Sequence, residues 1–234
     1  AFLQQQFREF PDIERAIGRL SMNRGTPRDL ARIKNGLVVG KNVRSHIFPI
    51  GLPKLIKDAA ESLDKNEDLI DILTDALLED LPVLAKDGGF IKTGFSQELD
   101  ELRAIMSDSQ GMINELQQKY ANSEEIPNLK IKFNRMLGYF IETTKRHGDI
   151  LLSNNEVFIH RQTMKNAVRF STEELISLEG KISTATEKAL AIELAIFETI
   201  VSEVISKKEK ILSTADAVSF LDVICGFAEM AENK

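Results

Sequence analysis

The chain has 234 residues, a formal charge of −6 at pH 7 and one cysteine, Cys225. That length can bury a substantial core in one or two domains. A single cysteine excludes an intramolecular disulfide and fits a reducing cytoplasm, and no apolar run is long enough to span a bilayer. No signal-peptide pattern opens the chain, and the lack of an initiator Met points to a fragment or a processed product. The negative average also argues against a uniformly basic nucleic-acid binder.

In chain order, the first half reads as short helices. Pro11 sits at a plausible first helical position, and Ile13, Ile17 and Leu20 then share one face. Thr26 is a candidate cap, followed by Pro27. Residues 27–37, 52–63 and 67–78 read as three further short helices, the last striped by Leu69, Ile72, Leu73, Ala76 and Leu77. Asp87-Gly88-Gly89 is a turn.

From residue 97 the pattern lengthens. Leu99, Leu102, Met106, Ser109, Ile113, Leu116 and Tyr120 recur at alternating steps of three and four. Leu175, Leu178, Ile182, Ala185, Ala189, Ile192 and Ile196 do the same, in a helix expected to start at a Ser171–Glu174 capping box and to run to about residue 208. Each stripe is a heptad seam, and two seams flanking one short segment predict an antiparallel helix pair. The competing reading is two unrelated amphipathic helices in one bundle. At a rise of ~1.5 Å per residue the two helices span roughly 35 and 55 Å.

Residues 123–171 break the helical period. Leu129 to Asn134 alternate as a half-buried strand, Arg135 to Gly138 make a hairpin connection, and Tyr139 to Lys145 return as a second strand. Phe158–Met164 and Val168–Ser171 add two more, which makes a credible small sheet. Tyr139, Phe140, Phe158 and Phe170 read as core residues.

Charge is concentrated in this segment. Over residues 129–169, Lys130, Lys132, Arg135, Lys145, Arg146, Arg161, Lys165 and Arg169 face only Glu142, Asp149 and Glu156, a local charge of +5 that leaves −11 for the rest. A basic island in an acidic chain is a candidate contact for a polyanion; the bland reading is a solvated face. His160 to Arg169 mixes guanidinium, amide, hydroxyl and ammonium donors, which suits phosphate oxygens. The candidate contacts are Arg161, Lys165 and Arg169, with Gln162, Thr163 and Asn166 as further donors and Lys130, Lys132, Thr144 and Lys145 beyond them. His46, His147 and His160 lack metal-ligand spacing, Cys225 reads as buried and inert, and no nucleophile–base arrangement stands out.

Four stretches, in order, resemble the bacterial MutS family of DNA mismatch-repair proteins. They are Pro11 to Leu20 with Thr26 to Leu30; Asp87 to Lys92 with Glu98 to Arg103; Asn134 to Glu142; and Arg161 to Ala167. His160, Val168 and Phe170 depart from the Arg, Glu and Tyr common in the family at those places. The resemblance implies a mainly α fold with a small inserted antiparallel β-sheet: a helical lever bundle, a long antiparallel helix pair and a four-stranded clamp at its tip. It divides the chain into lever residues 1–122, clamp residues 123–171 and returning lever residues 172–234.

The implied function is non-sequence-specific binding of the double-stranded DNA backbone, with motion relayed to a distant ATPase. The implied partners are DNA, a second MutS subunit and other repair proteins, with no membrane, in a bacterial cytoplasm at the nucleoid. Neither a Gly-x-x-x-x-Gly-Lys-Ser/Thr phosphate loop nor a Phe-x-Glu mismatch wedge occurs here. ATP and Mg therefore belong to the full-length family, and the expectation for this chain is no enzyme activity and no cofactor. The alternative is a coiled-coil interaction scaffold whose basic tip grips a protein.

Overall fold

The computed structural model describes residues 2–47, 51, 53–63 and 66–232. Leu52, where the expected helix 52–63 opens, lies outside the described residues. The fold is mainly α, with one four-stranded antiparallel sheet. Backbone contacts divide the chain into two compact units, residues 1–95 with 192–234, and residues 96–191.

The first unit holds α1 (Phe2–Glu9), α2 (Ile13–Ser21), α3 (Pro27–Ile47), α4 (Lys54–Ser62), α5 (Glu67–Ala76) and α9 (Lys208–Glu232). Pro11 precedes α2 rather than opening it; Asp12 is the cap, its carboxylate accepting the Arg15 N–H at 2.9 Å. Before α3, Thr26 donates its N–H and hydroxyl to Asp29, each at 2.9 Å. Asp29 is fully buried and also pairs with Arg19 and Arg32.

Helix α3 continues ten residues beyond the expected end at 37. Gly36, inside this helix, is a point of close approach: a Cβ there would lie 2.4 Å from Ile13 Cγ2. Helix α5 stops at Ala76, and Leu77 then bridges to Ile91, so the expected helix to 78 is two residues too long. The Gly88-Gly89 turn takes positive φ and is anchored by Glu193, whose buried carboxylate accepts the Gly89 N–H at 2.5 Å.

Helix α9 alters the reading of apolar runs. Among the described residues it is the one helix long and apolar enough, by length and composition, to cross a membrane. Isolated acids such as Asp216 and Asp222 interrupt its run, which hid it. One face, Ile211, Ala215, Val218 and Leu221, is buried within this unit, whereas Val223, Phe227 and Met230 further along the helix are exposed. Cys225 on α9 is half-buried rather than buried, and burial pushes its thiol pKa up.

The second unit holds α6 (Gln97–Ser123), β1 (Lys130–Asn134), β2 (Gly138–Thr144), α7 (Lys145–Ser153), β3 (Ile159–Thr163), β4 (Ala167–Ser171) and the first half of α8 (Glu173–Ser206). Ser96 caps α6. All seven residues of the first heptad seam are buried or half-buried, as are all seven of the second. Within this unit the helices run antiparallel. Lys119 and Tyr120, near the end of α6, bond Glu174 and Thr172 at the start of α8, and Leu102 and Ile105 line a groove with Thr184 and Lys188. The cap of α8 is Thr172, whose hydroxyl accepts the Leu175 N–H at 3.1 Å, not Ser171, which is still in β4. Helix α8 ends at Ser206, near the expected 208.

The sheet order is β1-β2-β4-β3. Its inner face gives Ile141, Val168 and Phe170 to a core with Ile113, Leu116, Tyr120, Leu151, Phe158 and Leu175. Helix α7 was not expected: strand β2 ends at Thr144, and Lys145 begins the helix. Its Gly148 lies against Val168, where a Cβ would come within 2.7 Å of Cγ2.

Candidate nucleic-acid interface

The site is built on alternation. Antiparallel register puts Lys130 opposite Glu142, Glu142 opposite Arg169, and Arg169 opposite Gln162. Directly opposed residues share a face, so these four form one row across all four strands, on the face away from the core. Between His160 and Gln162 the ladder shifts, leaving Arg161 as the extra residue of a bulge in edge strand β3. A bulge and a charged edge both discourage unwanted strand pairing, and here they also turn a guanidinium outward.

Every residue of β3 is exposed, and so are Met164, Lys165 and Asn166 in the connection to β4. Arg161 and Lys165 make no ion pair among the described residues. Gln162 accepts from Arg169 Nη1 at 3.2 Å through its Oε1, which leaves its amide N–H groups as outward donors. Thr163 bonds the His160 ring nitrogen at 2.9 Å. Thr144 pairs with Ala167, so Thr144 and Lys145 lie at the same end of the sheet as the Lys165-Asn166 turn, and both are exposed.

The sequence-predicted residues therefore form two groups. Arg161, Gln162, Thr163, Lys165, Asn166, Thr144 and Lys145 gather at the β3–β4 end. Lys130 and Lys132 lie on β1, the opposite edge, three strand spacings or roughly 14 Å from β3.

Arg169 differs from the other candidates. It is 17% exposed, donates Nε to Glu142 Oε2 at 3.0 Å, and lies 4.5 Å over the buried Phe140 ring. Lys132 Nζ binds the other oxygen of Glu142 at 2.6 Å. Glu142, half-buried between them, has its pKa lowered, chiefly by the Lys132 hydrogen bond and then by Arg169. Sequence reading counted Glu142 only as a stray negative charge. The available signal was its parity with Phe140 and Thr144 on β2, which turns it to the same face as Lys130 and Lys132 once the hairpin register is known.

The four aromatics behave as core groups. Phe140, Phe158 and Phe170 are buried. Tyr139 is half-buried beside Phe133 and donates its hydroxyl to Gln110 at 2.8 Å.

Residues 94–188, nearly the same stretch as the second unit, match MutS family domain IV. Over 231 residues, 98% of its length, the chain is 44% identical to the DNA mismatch repair protein MutS of Roseobacter denitrificans. It is 42% identical to that of Bartonella tribocorum over 228 residues, 96% of its length. The chain belongs to the MutS family. It is a segment by comparison, spanning about a quarter of the length of these relatives (26% and 25%). In this MutS-family chain the exposed basic hairpin β3–β4 falls inside the matched domain.

Proposed function

We propose that this chain is the lever and clamp portion of a DNA mismatch repair protein, and that its sheet grips the phosphate backbone of duplex DNA without reading sequence. The observation that carries this is the solvent-facing β3–β4 hairpin: Arg161 on the bulge, Lys165 in the turn, and Gln162, Thr163 and Asn166 beside them, all exposed. Guanidinium, ammonium and amide donors on an open surface suit phosphate oxygens, which fix position and carry no sequence information. Thr144 and Lys145 extend this surface, and Arg169 supports it from below.

In this reading residues 123–171 are the clamp, and residues 1–122 and 172–234 are lever. Long helices sharing a continuous apolar seam are stiff enough to carry a displacement along their length. ATP and Mg chemistry would lie in other parts of the full-length protein, since no residues here form a phosphate loop. The chain is itself not an enzyme. The protein would act with a second MutS subunit and other repair proteins in the bacterial cytoplasm, on the nucleoid.

The test is a salt titration of duplex binding. The affinity expected is about 10⁻⁴ to 10⁻⁶ M at physiological salt, falling steeply as salt rises and equal for matched and mismatched duplexes. Replacing Arg161 and Lys165 together by Ala should weaken binding on every sequence and flatten the salt slope by about two charges. Unchanged binding in that variant, or strong preference for a mismatch, overturns the proposal. Capture of a protein partner that duplex DNA does not displace would favour the scaffold reading.

A further inference from the structure

The cations on the sheet are not equally available. Arg161, Lys165, Lys130 and Lys145 make no ion pair among the described residues, whereas Lys132 and Arg169 each hold one oxygen of the same carboxylate. Glu142 stands in the middle of the four-strand row and on its solvent side. A carboxylate and a phosphate take these donors through the same kind of charge-assisted hydrogen bond. Lys132 and Arg169 keep further N–H donors, but Glu142 already balances part of their charge and presents its own negative charge to an arriving phosphate.

We propose that Glu142 is a built-in competitor for the DNA backbone, a carboxylate that occupies Lys132 and Arg169 and holds the affinity of the sheet below what its cations would give. This rests on the backbone-binding reading above and adds its regulation. A cation already neutralised within the protein displaces few of the cations condensed on the DNA phosphates. It therefore contributes little to the salt-dependent part of binding. Keeping grip weak in this way suits a surface that must release and move along any sequence. Arg169 is then a positioning residue: held over Phe140 by Glu142, it takes the Gln162 carbonyl oxygen and leaves the amide N–H groups free to donate.

Glu142→Gln in the 234-residue chain removes the charge, keeps the shape and leaves one acceptor oxygen where the carboxylate offered two. Duplex affinity is read by fluorescence anisotropy between about 50 and 200 mM salt, the range over which backbone contacts show their slope. The variant should bind about five- to tenfold tighter at the low end, with a log–log salt slope steeper by about 0.9 for each cation freed. Adding Lys132→Met to Glu142→Gln should return at least half of that gain. Glu156→Gln makes the same change in net charge at an exposed loop, away from the row, and should raise affinity less than twofold.

Equal or weaker binding by a folded Glu142→Gln chain overturns the proposal, as does an equal gain from Glu156→Gln. Glu142→Thr, a strand-favouring replacement, should reproduce the gain. Loss of the folded state in both Glu142 variants would make the carboxylate structural and also overturn it. The Arg161/Lys165 double substitution runs in the same titration. If that variant binds like the parent, the backbone reading itself fails. If it weakens while Glu142→Gln does not tighten, only the competitor role fails.

Discussion

At Gly138 the backbone sits at φ +70, closing the hairpin whose turn is tied by Asn134, which accepts the Met136 and Leu137 N–H groups at 3.0 and 2.7 Å. A Cβ there would also fall 1.6 Å from Glu179 Oε1. That carboxylate is the end of a flexible side chain and can turn away, so the lasting cost is the left-handed backbone itself. Gly138→Ala should destabilise the fold by about 1–2 kcal/mol, measured by urea denaturation. A loss well under half of that would mean the turn relaxes to another form. The same turn carries register along β2, so Glu142 and Arg169 depend on it indirectly.

Among the elements, the junction of α6, β4 and α8 is held by Tyr120. Its ring packs edge-on to Phe158, and its hydroxyl bonds Thr172 at 3.1 Å and Glu174 at 2.9 Å. Burial, with the nearby Glu174 adding to it, pushes the Tyr120 pKa up to about 12. An unfolded tyrosine ionises near pH ~10. The unfolded chain therefore loses this proton first, and the contribution of Tyr120 is present below about pH 10 and lost as pH rises toward 12. Tyr120→Phe should cost about 1 kcal/mol at neutral pH and reduce the fall in melting temperature above pH ~10. An unchanged alkaline limb in the variant would assign that limb to other groups.

For the whole molecule, acid stability belongs to carboxylates in both units. In one, Lys41 lowers the pKa of Glu67 and Lys207 that of Asp68; in the other, Lys132 lowers that of Glu142 and Lys119 that of Glu174. All four bind protons less readily folded than unfolded. Their stabilisation is complete above the ordinary carboxylate range of about 3.9–4.3 and is lost as pH falls through the lower folded values. A melting temperature flat from about pH 6 to 9 and dropping below about pH 4 is the expected profile. A chain that keeps its full melting temperature at pH ~3 would contradict it.

The sequence by itself determined what depends on local period and composition: both heptad seams, the four strands, the hairpin at Gly138, and the basic segment that carries Arg161 and Lys165. Hydrophobic spacing and turn chemistry act within a few residues and are legible there. Tertiary structure alone decided which glycine breaks a helix and which lets one pass, as Gly36 does against Ile13. It also decided that Thr172 rather than Ser171 caps α8, and that residues 145–153 coil over the sheet. The same holds for charge. Lys132 and Arg169 lie 10 and 27 residues from Glu142, and the strand register made the three one ion-paired group. An ion pair depends on distance in space, which no local pattern records.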